Sequence, residues 1–146
     1  MLRCLQEVPE GAFLMTDTRI SALVIYTDAY SEPFPSRIAA DYTLYQRIVG
    51  GYIEAVRGHT STGDQVVFYV NEDGIALGLP TNHTATRLWH RLNPAAEQVL
   101  LGNVVVVGAD GCDDADVPAE AATLARVVHR DIEIEGFVAR IRAAGH

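Results

Sequence analysis

The spacing of apolar and polar positions divides the chain into a strand-rich middle flanked by helices. Residues 20–26 (ISALVIY) are β-branched and aromatic and predict a buried first strand. Residues 31–36 contain Pro33 and Pro35, which cannot donate to a sheet ladder, so they are read as loop or sheet edge. In residues 42–49 (YTLYQRIV), Leu44, Tyr45 and Ile48 recur at helical spacing, with Asp41 as N-cap and Gly50-Gly51 as the stop. Residues 52–56 (YIEAV) and 66–70 (VVFYV) flank the polar stretch 59–64 (HTSTGD) and predict an antiparallel hairpin. Asp73-Gly74 signals a turn into a short strand over 75–79 (IALGL), which would complete a meander.

Beyond Pro80, residues 81–84 (TNHT) supply several N-caps for a helix with Leu88 and Leu92 as its apolar stripe and Trp89 beside them, ended by Asn93-Pro94. Residues 99–107 (VLLGNVVVV) give the strongest strand signal, followed by an acidic loop over 110–116. A helix from Pro118 to about residue 130 and a second over 132–144 finish the chain. The predicted fold class is α+β, a mixed or largely antiparallel sheet of about five strands with three to four helices. The expected organisation is an amino-terminal extension over 1–18, a core domain over 19–130 and a carboxy-terminal helix over 131–146. Met15 opens a stretch that reads as a natural start, which makes residues 1–14 an upstream addition.

A chain of 146 residues has no room for a second full domain, and its 21% charged and 49% hydrophobic content is that of a folded globular protein. A formal net charge of −8 repels phosphate backbones at long range, so direct nucleic-acid binding is not expected. All 11 basic residues are Arg, so every cation is a planar, bidentate donor. The two cysteines, Cys4 and Cys112, form no CxxC or Cys/His grouping, which signals neither a zinc site nor a disulfide scaffold and favours a reducing compartment. No apolar run is long enough to span a bilayer, and Glu7, Pro9 and Glu10 interrupt what would be a signal-peptide core; the expected location is cytoplasmic, away from membranes.

Few residue groups carry candidate chemistry. Gly50-Gly51 follows a helix where a phosphate cradle would precede one, so it is read as a cap. His59, Thr60, Ser61 and Thr62 lack a strained elbow or an evident base, and Asp110, Asp113, Asp114 and Asp116 miss the EF-hand spacing. No catalytic residue, metal site or cofactor is assigned. The exception is the helix that begins near Asn82. His83, Arg87, His90 and Arg91 place a basic stripe near its start, where Arg forks and free N-terminal amides suit an anion. Asn82, His83, Arg87, His90 and Arg91 are therefore the candidate ligand-binding residues, against the ordinary reading of a solvated helix face. In the carboxy-terminal segment, Ile134, Phe137, Val138 and Ile141 form an amphipathic stripe that packs either on its own domain or on a second copy, and a homodimer is expected.

Four segments, 45–54 (YQRIVGGYIE), 69–74 (YVNEDG), 78–86 (GLPTNHTAT) and 101–108 (LGNVVVVG), together resemble a small-domain family of unknown function, number 3846, over about residues 19–128. The resemblance implies a setting in phages and mobile elements of high-GC bacteria and supplies no activity. The chain departs from the pattern in its amino-terminal extension, around residues 28–40 and in its last helix. The function expected is therefore a non-enzymatic phage or mobile-element protein that sequesters a host factor, in host takeover or anti-defence. The alternatives are a sponge for a nucleotide-like signal at Arg87 and an acidic DNA mimic. The partner is accordingly a host protein or a nucleotide-like small molecule.

Overall fold

In the computed structural model, which describes residues 18–28 and 31–145, the elements run β1 (Arg19–Ile25), β2 (Pro35–Ala39), α1 (Tyr42–Val49), β3 (Ile53–His59), β4 (Gln65–Asn71), α2 (His83–Leu92), β5 (Val104–Asp110), β6 (Asp113–Ala115) and α3 (Ala119–Ala144). The extension expected over 1–18 and the start at Met15 lie, Thr18 apart, outside the described residues. The strands form one antiparallel sheet in the order β2-β1-β5-β4-β3, and β6 pairs with the far end of β5. The fold is thus α+β with three helices.

β5 lies at the centre and is buried on both faces, which is why its sequence is a run of valines and not an alternation. Val104 and Val106 face one core with Leu23, Phe68, Leu88, Trp89 and Ala125, under α2 and α3. Val105 and Val107 face the other with Ala22, Val67, Tyr45 and Val49, under α1. Each of these four valines is fully buried and contributes about 1.5–3 kcal/mol relative to exposure. Gly108 closes the run because a side chain there would run into the carbonyl of Asp116. Gly108→Ala is expected to cost about 1–3 kcal/mol, the scale of overpacking a filled site, measured as a lower urea midpoint with unchanged slope.

The helix caps follow the sequence. Asp41 accepts from the Thr43 amide at 2.9 Å, and Gly50 ends α1 at φ 86° in the left-handed region. On the outer strand β3, the indole of Trp89 and the amide of Asn93 both donate to the carbonyl of Arg57, each at 3.0 Å. Gly58 is needed beside them, since a Cβ there would lie 2.8 Å from the Leu92 carbonyl.

Three expected elements differ. Residues 72–79 form consecutive turns in place of a strand, because the Asn71 side chain ends β4 by accepting from Asp73 N–H and donating to the Val49 carbonyl, while β5 takes the place beside β4. Residues 99–103 are not strand either; Gly102, at φ 79°, turns the chain so that its amide donates to Pro80. The two carboxy-terminal helices are one continuous helix of 26 residues, since no proline or capping group breaks it between 130 and 132. Among the described residues no helix is long and apolar enough to cross a membrane.

Candidate binding surfaces

The five residues proposed from sequence are distributed among separate partners. Asn82 is fully buried: its Nδ2 donates to the carbonyls of Ile25 (2.8 Å) and Gly102 (2.9 Å), and its Oδ1 accepts from the Ala85 amide (3.0 Å). It is the N-cap of α2 and ties that helix to the ends of β1 and the 99–103 loop. Arg87 makes a two-pronged ion pair with Glu135 of α3, at 2.7 and 3.0 Å. Hydrogen bonds from Arg87 hold the Glu135 carboxyl below its usual range. His90 lies 2.7 Å from the carbonyl of Gln98 through Nε2. His83 and Arg91 are exposed, and Arg91 borders a different cleft beside His59, Ser61 and Glu120.

In that second cleft Ser61 donates to Glu120 through both its amide (2.8 Å) and its hydroxyl (2.5 Å). These bonds lower the Glu120 pKa, which weakens it as a proton acceptor. The residues 59–64 serve as a hairpin turn, with Thr62 donating to Asp64 and Thr60 accepting from the Asp64 amide.

The acidic stretch after β5 is not a loose loop. Asp110 and Asp113 pair across a two-residue turn whose first member, Gly111, has φ 63°. Asp114 accepts from the hydroxyls of Tyr45 (3.0 Å) and Tyr69 (2.7 Å), using one oxygen for each. The two rings stack with centroids 4.9 Å apart, and Tyr42 covers them from the exposed side. Burial first, with Asp114 contributing, pushes both phenols far above their ordinary pKa. Asp116 accepts from the Ser21 amide at 2.7 Å and lies 3.6 Å from Arg37. Cys112 is disulfide-bonded, although no short spacing motif in the sequence marks it. Among the described residues no group of three or more His, Cys, Asp or Glu is placed to hold a metal ion.

Among the described residues two apolar surfaces stay open. One is a cleft of about 410 Å³ on the uncovered end of the α2/α3 face, with Val56 and Val70 on its floor and Ile75, Val99 and Leu101 around it. Ile75 is 87% exposed, and Glu54 and Glu72 place carboxylates among the lining residues. The other surface is the outer half of α3, where Ile134, Phe137, Val138 and Ile141 are exposed.

The family model described as a domain of unknown function, DUF3846, matches residues 20–129. The chain belongs to this family. Comparison with curated proteins and with solved structures gave no match. The part matched as DUF3846 takes in the sheet apart from Arg19, α1, α2 and the core-facing part of α3, and with them the cleft beside Ile75. The exposed stripe over 134–141 lies beyond it. Neither the cleft nor the tyrosine cluster was picked out from sequence. For the cleft the available signal was Gly78, which at φ 66° is a turn residue inside what otherwise reads as a strand.

Proposed function

We propose that this DUF3846 protein is a non-enzymatic binding protein that sequesters a protein partner, a host factor in the phage or mobile-element setting that the family resemblance implies. The observation that carries this reading is the open cleft beside residues 72–79. Its apolar floor and its carboxylates suit a protein segment that offers an apolar anchor next to a basic side chain. Ile75 supports the same reading, because a large aliphatic side chain held almost wholly in solvent gains nothing for the fold and contributes on contact with a partner. Support for the nucleotide sponge is weaker, since Asn82 and Arg87 are already engaged. The DNA-mimic reading fares likewise, with Asp114 and Asp116 bonded within the fold.

The test is affinity capture from a host lysate with wild-type protein and Ile75→Asp, using thermal melts as the folding control. One protein retained in stoichiometric amount by wild type and lost by Ile75→Asp, with the melting temperature unchanged, is the expected result. Equal retention by both, or a nucleotide and no protein in the native mass spectrum of the purified wild type, would sink it.

A further inference from the structure

The stripe on α3 is turned away from its own domain. Ala121, Ala125 and Val128 of α3 are buried against the sheet and α2, and Glu135 faces Arg87 on the same side. At 3.6 residues per turn, the stripe formed by Ile134, Phe137, Val138 and Ile141 lies nearly half a turn round the helix from that face. Among the described residues the stripe is therefore turned away from the rest of the domain. All four side chains are between 37% and 55% exposed.

The segment 133–142 also reads as its own complement about a midpoint between residues 137 and 138. Its sequence is Glu-Ile-Glu-Gly-Phe-Val-Ala-Arg-Ile-Arg. Equidistant from the midpoint stand Phe137 and Val138, the two small residues Gly136 and Ala139, and Ile134 and Ile141. Further out the relation holds with inverted charge, Glu135 with Arg140 and Glu133 with Arg142. An antiparallel pair of such helices brings equidistant residues to the same height, so that isoleucine meets isoleucine and Phe137 meets Val138. At 100° per residue, Glu133 and Arg140 fall on one flank of the stripe, and Glu135 and Arg142 on the other. In the antiparallel pair Glu133 then faces the partner's Arg140, staggered by about 3 Å along the axis, while Glu135 stays on Arg87 of its own chain. A parallel pair would instead set acids beside acids and arginines beside arginines.

We propose that the outer half of α3 binds the same segment of a second copy of this chain, antiparallel, about a two-fold axis between residues 137 and 138. The occupant is fixed by the charge inversion, which no copy in parallel register satisfies. The inference goes beyond the cleft reading and does not depend on it, because it uses a separate surface. A single helix pair of this length buries less than the usual specific interface, so the expected dissociation constant is on the order of 1–100 μM.

Sedimentation equilibrium on the full chain from about 5 to 500 μM tests this, with a non-reducing gel to exclude disulfide cross-linking between copies. The expected result is a mass rising with concentration from the 15.9 kDa monomer towards twice that value. A monomer throughout, or an assembly larger than a dimer, would overturn it. Phe137→Asp with Ile141→Asp should give a monomer with an unchanged circular dichroism spectrum and melt, since both positions are exposed; a persisting dimer places the interface elsewhere and refutes the proposal. Orientation is read from charge swaps. Glu133→Arg alone and Arg140→Glu alone should each weaken the dimer about tenfold, and the double variant should restore it, as a coupled pair requires. Single swaps without effect, or no restoration in the double variant, would refute the antiparallel arrangement.

Discussion

Asn82→Ala is expected to lower stability by about 3–5 kcal/mol, enough to unfold a large share of the molecules at moderate temperature. The substitution removes the N-cap bond to the Ala85 amide, worth about 1 kcal/mol. It also leaves the carbonyls of Ile25 and Gly102 without their donor in a site closed to water, at about 1–2 kcal/mol for each. Asn82→Asp keeps the cap acceptor but sets a carboxylate against those two carbonyls, so it should be no better. Urea titration monitored by the fluorescence of Trp89, which lies on the helix that Asn82 caps, measures the effect directly. If Asn82→Ala unfolds at the wild-type midpoint, Asn82 is not the link between α2 and the sheet. Arg87→Ala, by contrast, removes an exposed ion pair and should leave the midpoint almost where it was.

A steep loss of stability in alkali is the second expected result. Tyr45 and Tyr69 have folded-state pKa values raised well above the ordinary phenol value, chiefly by burial, then by Asp114 for Tyr45 and by Tyr42 and Asp114 for Tyr69. Their contribution is complete below pH of about 10, where an unfolded phenol starts to ionise, and is lost as the pH rises further. Above that point the unfolded chain sheds two protons that the folded chain keeps, which gives a slope of up to about 2.7 kcal/mol per pH unit. Urea midpoints at pH 8, 10 and 11 would show it, and tyrosinate absorbance from these two rings should appear only together with unfolding. Tyr45→Phe and Tyr69→Phe should each remove about half of the slope. An equal slope in wild type and both variants would show that other groups control the alkaline limit.

Much of the fold is legible because local signals and tertiary structure agree. Asp41 and Asn82 are N-caps where sequence placed them, and Gly50 is the left-handed stop. The failures share a cause. In 75–79 and 99–103, apolar side chains suggested strands, yet the backbone hydrogen bonds of 75–79 close turns and those of 99–103 go to residues 80–86, because β4 already has β3 and β5 as neighbours. Apolar content reveals burial in a sheet only when a neighbouring strand is free to pair. On the candidate surface, the helical stripe of Arg87 and Arg91 was visible, but the answering Glu135 is 48 positions away and no periodicity links them. The Tyr45, Tyr69 and Asp114 network was hidden likewise, with contacts spanning 69 and 45 positions.

The two donors that meet on the Arg57 carbonyl have a further consequence for solubility. β3 ends the sheet on one side, and an outer strand offers its unpaired backbone groups to any extended chain that collides with it. With Trp89 and Asn93 both bonded to Arg57, the α2 end of that strand is already occupied, and an incoming strand would have to displace an indole packed in the core. On the opposite side β2 begins at Pro35, which has no N–H to offer, and carries Arg37. Growth of the sheet into larger aggregates is thereby hindered at both borders by side chains.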